Sequence, residues 1–104
     1  MLKNIERKRV VLIEDDTQIR ESYTLIINNS STFKVVGDFA SCEEAVKKIG
    51  KLRPGVVLMD IGLDGMNGID GTALLKSKYP GAEIIIVTVH EDSELVFKAL
   101  KAGA

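Results

Sequence analysis

Three short runs of this 104-residue chain are apolar from end to end: Val10-Val11-Leu12-Ile13, Val56-Val57-Leu58-Met59 and Ile84-Ile85-Ile86-Val87. A strand with one wet face alternates apolar and polar residues, whereas an unbroken run has both faces buried. These runs are of strand length and rich in β-branched residues. Sheets buried on both faces are parallel and need helices to cover them. The intervening segments therefore have to supply helices.

They do so in pattern. From Thr17 to about Asn29, Ile19, Tyr23, Ile26 and Ile27 fall at i, i+4, i+7 and i+8, which puts them on one helical face. Either Asp16 or Thr17 is placed to cap it. Phe33 to Gly37 alternates imperfectly and reads as an edge strand, with Lys34 turned to solvent. Ser41-Cys42-Glu43-Glu44 is a capping box, opening a helix to about Leu52 that buries Ala45 and Ile49. Arg53-Pro54-Gly55 stops it. Ile69 to Lys78 reads as a helix presenting Leu74 and Leu75, with Gly71 weakening it. Tyr79-Pro80-Gly81 is a turn. A last helix is expected from about Ser93 to Ala102, with Val96, Ala99 and Leu100 inward and Gly103 at its C-terminal cap. The order βαβαβαβα predicts one α/β domain over residues 1–104, a doubly wound parallel sheet with right-handed crossovers and helices on both faces.

Composition removes several function classes. A net charge of −1 leaves no basic excess for a nucleic-acid surface. A single cysteine, Cys42, excludes an internal disulfide and any multi-cysteine metal site, and it suits a reducing cytoplasm. Met1 to Arg9 is charged and lacks the apolar stretch of a secretory leader. No apolar run approaches the ~20 residues needed to span a bilayer, so no membrane partner is expected.

Chemistry is concentrated at the ends of the runs. The first closes on Glu14-Asp15-Asp16, the second on Asp60 before a glycine-rich stretch, and the third on Thr88. Open α/β sheets bind ligands at the carboxyl ends of strands, where the strand order reverses. If the first two runs are neighbours there, their carboxylates meet in one crevice. Carboxylates a few ångströms apart stay ionised together only around a cation. Oxygen-only ligands point to a hard ion, Mg²⁺ before Zn²⁺. Mg²⁺ takes one or two carboxylates and a phosphate, so a phosphoryl group is the natural second guest, with Asp60 as its acceptor. The bland alternatives are a strand-end acid for Asp60, a helix-dipole acid for Asp16 and a β-branched strand residue for Thr88. A lone loop histidine such as His90 is more often simply solvated, and Cys42 reads best as a plain small residue.

Ile13-Glu14-Asp15-Asp16-Thr17-Gln18-Ile19-Arg20, Leu58-Met59-Asp60-Ile61-Gly62-Leu63-Asp64-Gly65-Met66-Asn67-Gly68 and Ile85-Ile86-Val87-Thr88 stand in the order and spacing of three motifs. With them the chain resembles the receiver domain of a two-component response regulator, of flavodoxin-like three-layer fold. The wording from Phe33 to Ala40 is most similar to NarL/FixJ-type regulators. The resemblance implies phosphoryl transfer from a sensor histidine kinase to Asp60. It implies Mg²⁺ held by Asp15, Asp60 and the Gly62 carbonyl, with Glu14 reaching it through water, and Thr88 as the switch hydroxyl. It also implies transcription regulation through a DNA-binding output domain that this chain does not include.

The chain departs from the family pattern in three respects. The family's phosphoryl-pairing lysine, fifth strand and fifth helix would lie past Ala104, so the chain reads as a C-terminally truncated receiver. Asp64 stands where proline is usual. Val89 follows Thr88 where a small residue is common, and with His90 it is placed to modulate the site. A signalling module rather than an enzyme is expected. The alternative is a receiver-like interaction module that works without phosphorylation. A phosphatase using Asp60 ranks lower, because such enzymes need a second acid where Gly62 stands. An uncovered strand edge and apolar face predict self-association.

Overall fold

The computed structural model describes residues 6–60 and 68–87. The elements are β1 (Lys8–Ile13), α1 (Thr17–Asn28), β2 (Phe33–Phe39), α2 (Cys42–Leu52), β3 (Val56–Met59), α3 (Gly68–Lys78) and β4 (Glu83–Ile86). The four strands form one parallel sheet in the order β2-β1-β3-β4. The chain steps from β1 to β2, then reverses to β3 and β4. The switch point therefore lies between β1 and β3, where Ile13 pairs with Met59. The expected last helix, from Ser93 to Ala102, lies outside the described residues.

The two faces of the sheet differ. Val11, Ile13, Val57, Met59 and Ile84 join Cys42, Ala45 and Ile49 of α2 and Leu75 of α3 in one buried cluster. On the opposite face lies α1, and none of its residues is fully buried. A hollow of about 300 Å³ remains there, lined by Val10, Ile27, Val56, Leu58 and Ile85 among others. The predicted apolar face of α1 is thus only partly used: Ile19, Tyr23 and Ile27 are half-buried, but Ile26 is 67% exposed. The third apolar run is likewise not buried on both faces. Ile84 is 5% exposed and Ile85 46%, because among the described residues β4 is the outer strand.

Local chemistry sets the element boundaries. Of the two candidate caps for α1, Asp16 is used, its carboxylate accepting from the Ile19 amide at 3.0 Å. Ser41 Oγ accepts from the Glu44 amide at 3.3 Å. Arg53 ends α2 in the left-handed region, at φ 48°. The orphan carbonyls at the helix ends are met by arginines of the first strand region. Arg7 donates to the Asn28 and Ser30 carbonyls at 3.1 and 3.3 Å, and Arg9 Nε donates to the Leu52 carbonyl at 2.7 Å.

The imperfect alternation of β2 has a structural cause. Val10 pairs with Val35 but Val11 pairs with Gly37, leaving Val36 as an extra residue in a bulge. Paired residues of parallel strands face the same way, so Gly37 and Phe39 follow Val11 and Ile13 toward the cluster. Asp38 follows Leu12 to the α1 side. Without the bulge, Asp38 would turn inward and Phe39 outward. A Cβ on Gly37 would meet Leu52 Cδ1 at 2.7 Å and the Phe39 ring at 3.1 Å, so only glycine fits there unstrained. Lys34 is half-buried rather than turned fully to solvent, and the open positions of this edge are Phe33, 37% exposed, and Asp38. A lysine stem can be shielded while its ammonium reaches water.

Candidate metal and phosphoacceptor site

The sheet brings the predicted acids together at the switch point. The Asp60 amide donates to the Ile13 carbonyl at 3.1 Å, continuing the β1–β3 ladder by one residue. Asp60 therefore lies beside the tip of β1, where Glu14 and Asp15 begin. The Glu14 amide donates to the Phe39 carbonyl of β2 at 3.0 Å, and its carboxylate accepts from the Asp16 amide at 3.1 Å. Glu14 is 6% exposed. Asp15 is exposed and Asp60 half-buried. One carboxylate oxygen from each of Glu14, Asp15 and Asp60 lies within 4.8 Å of the other two.

This crowding is visible in the proton affinity of Glu14, which is pushed up to about 7. Burial is the largest cause, since it penalises the charged form. The Asp16 amide opposes it by holding the carboxylate. The charges of Asp60 and Asp15, and a hydrogen bond with Asp60, add to the rise. A proton or a cation relieves such a cluster. Three converging carboxylate oxygens, with no nitrogen or sulfur donor among them, suit a hard ion such as Mg²⁺.

Behind Asp60 the site rests on a sulfur-rich contact. Cys42 Sγ and Thr72 Oγ1 lie 3.8 and 3.6 Å from Met59 Sδ. Burial, and then the Glu43 charge, pushes the Cys42 thiol up to about 11. It is an inert core residue, as read from the sequence. Asp16 serves the helix and is not one of the clustered acids. Gly62, Asp64, Thr88, Val89 and His90 lie outside the described residues. Sequence reasoning missed the part played by Arg20. Its Nη1 donates to the Glu14 carbonyl at 2.8 Å and its Nε to Asp38 Oδ1 at 3.2 Å.

The family model for the response regulator receiver domain matches residues 10–104. The chain belongs to that family. The receiver is 34% identical over 101 residues to the transcriptional regulatory protein DegU of Brevibacillus brevis, covering 97% of this chain and 43% of that protein. It is 34% identical to the response regulator GacA of Pseudomonas viridiflava, covering 92% of this chain and 45% of that one. It thus spans less than half the length of these curated relatives, the first of which is named as a transcriptional regulator. Among solved structures it superposes on the response regulator domain of Thermotoga maritima CheB with a TM-score of 0.86 at 32% identity, over 95% of this chain and 75% of that one. A LuxR-family two-component response regulator from Aurantimonas sp. SI85-9A1 gives 0.88 at 32%, over 95% and 71%. The receiver fold and its flavodoxin-like sheet order follow from these. No helix among the described residues is long and apolar enough to cross a membrane.

Proposed function

We propose that this receiver accepts a phosphoryl group from the phosphohistidine of a sensor histidine kinase onto Asp60, in a Mg²⁺-dependent reaction in the cytoplasm. The observation that carries the reading is the meeting of Glu14, Asp15 and Asp60 within 4.8 Å at the tips of two adjacent strands. Asp15 and Asp60, with the carbonyl of Gly62, would hold the ion, and Glu14 would reach it through water. When bound, Mg²⁺ neutralises the clustered acids and the charge on the transferring group.

The chain's own part is nucleophilic. A carboxylate oxygen of Asp60 attacks phosphorus in line, forming the P–O bond as the P–N bond breaks. The electron pair stays on the imidazole nitrogen, and with the other ring nitrogen protonated the group leaves as neutral histidine. Hydrogen bonding of Glu14 and Asp60 in the ion-free site keeps the nucleophile partly masked until the cluster is neutralised. The Thr88 hydroxyl would donate to a phosphoryl oxygen, Val89 would crowd access to Asp60, Asp64 would add negative charge beside the site, and His90 would bear on dephosphorylation. The phosphorylated state biases a two-state equilibrium read by an output domain outside this chain, which is where DNA is bound. The receiver is a signalling module in this reading, not an enzyme acting on a metabolite.

Incubation with acetyl phosphate and Mg²⁺, followed by intact mass measurement, tests it. A single phosphate adduct is expected on the wild type and none on Asp60→Asn. Metal binding with no adduct would replace the proposal by a phosphorylation-independent binding module. Phosphate released over many turnovers would replace it by a phosphatase.

A further inference from the structure

Arg20 ties three elements together at the edge of the acidic cluster. It lies in α1, its Nη1 holds the main-chain carbonyl of Glu14 at 2.8 Å, and its Nε reaches Asp38 at the end of β2 at 3.2 Å. We propose that Arg20 is a positioning residue for the acid pair: anchored on Asp38, it fixes the β1–α1 turn so that Glu14 and Asp15 face Asp60. The proposal rests on the metal-assisted reading of the site.

Geometry, not charge, is the means. The Arg20–Asp38 pair is open to water, with side chains 18% and 47% exposed, so its Coulombic worth is small. The shorter bond goes to a neutral carbonyl and is only partly exposed. Burial, the Asp16 amide and the two neighbouring acids govern the Glu14 carboxyl, and the Arg20 charge is not among these causes. What Arg20 supplies is a third restraint on Glu14. The residue is already held by its amide to Phe39 and by its carboxylate to the Asp16 amide. Two of these three restraints run to the end of β2, one directly and one through Asp38. That end is oriented by the Val36 bulge, which carries Asp38 to the α1 side. A planar fork with donors at fixed separation spans two such acceptors, and a lysine ammonium on a single stem does not.

The test uses the full chain as wild type, Arg20→Gln, Arg20→Lys and Asp38→Asn. The readouts are amide exchange without metal, and Mn²⁺ affinity from the electron paramagnetic resonance of the free ion. In Arg20→Gln the Glu14 and Asp16 amides are expected to exchange about tenfold faster while Val57 is unchanged. That is the worth of one good hydrogen bond. Mn²⁺ binding is expected to weaken by about tenfold, as when a partner that orients a metal ligand is lost. Arg20→Lys should stay closer to Arg20→Gln than to wild type, and Asp38→Asn should change both readouts by about two- to threefold. Unchanged exchange at Glu14 and Asp16 in Arg20→Gln, full rescue by lysine, or faster exchange throughout the core would each overturn the proposal. Should Arg20→Gln fail to fold, the Asp38→Asn and lysine variants decide on the same readouts. If the wild type binds no Mn²⁺ yet the exchange contrast holds, the metal reading falls and the restraint stands.

Discussion

Glu14 carries the most informative single carboxyl in the chain. Its folded value of about 7 lies above the ordinary 4.5, so the folded protein binds the extra proton between those pH values. Stability therefore falls as pH rises through that window, and the contribution is fully present below it. In metal-free protein the loss between pH 4.5 and 7 should be on the order of 2 kcal/mol, read from urea denaturation across pH. Glu14→Gln should flatten the curve, and millimolar Mg²⁺ should restore stability at the alkaline end. A flat wild-type profile would remove the crowding argument. The acids themselves were legible in the sequence, because each ends an apolar run and parallel pairing forces run ends together. Arg20 was not legible as a restraint. Its acceptors are a main-chain carbonyl and an aspartate 18 residues away, and that aspartate faces it only because of a bulge.

At the scale of elements, the packing of α2 on α3 turns on Gly71. Read from the sequence, this glycine only weakens a helix, at about 1 kcal/mol relative to alanine. In the fold, a Cβ there would collide with Cys42 Sγ and lie 3.1 Å from Cys42 Cβ. Cys42 is fully buried at the first turn of α2, so it has nowhere to turn. Gly71→Ala should therefore destabilise by about 1–3 kcal/mol despite its gain in helix propensity, measured by thermal or denaturant melts. Adding Cys42→Ala should recover part of that loss. A stabilised Gly71→Ala single variant would contradict the close approach. Gly37→Ala should cost less, since its tightest neighbour is the rotatable tip of Leu52. The capping box, the α2 stop and the buried Ala45 and Ile49 were all readable, because caps and helical periodicity are local. The bulge and the glycine contacts are not local: they depend on which strand and helix lie alongside.

For the molecule as a whole, the sheet is protected unequally. One face is closed by α2 and α3, while the other keeps a hollow beside Ile27, Leu58 and Ile85. Leu25 and Ile26 of α1 are 71% and 67% exposed, and β4 is the outer strand among the described residues. Contiguous apolar surface next to a strand edge favours association between copies. Sedimentation velocity at rising concentration should show reversible self-association, and Ile85→Lys should shift the population toward monomer. A wild-type monomer at every concentration would rule this out. The doubly wound order was legible from unalternated runs separated by helical stretches. The edge position of this strand was also read from the sequence, but the exposure of Ile85 in particular was not, because an unalternated run does not show which of its faces is left open.

The bulge at Val36 also makes the edge strand unusually forgiving of one kind of genetic accident. Losing a residue from a paired strand normally swaps its inward and outward sets downstream. Here Val35 already answers to Val10 and Gly37 to Val11, so excising Val36 closes the seam without turning anything over. The shortened protein should fold with Asp38 still beside Arg20, missing only the packing of one valine. Because Val35 and Val36 are the same residue, loss of either codon yields this one shortened chain.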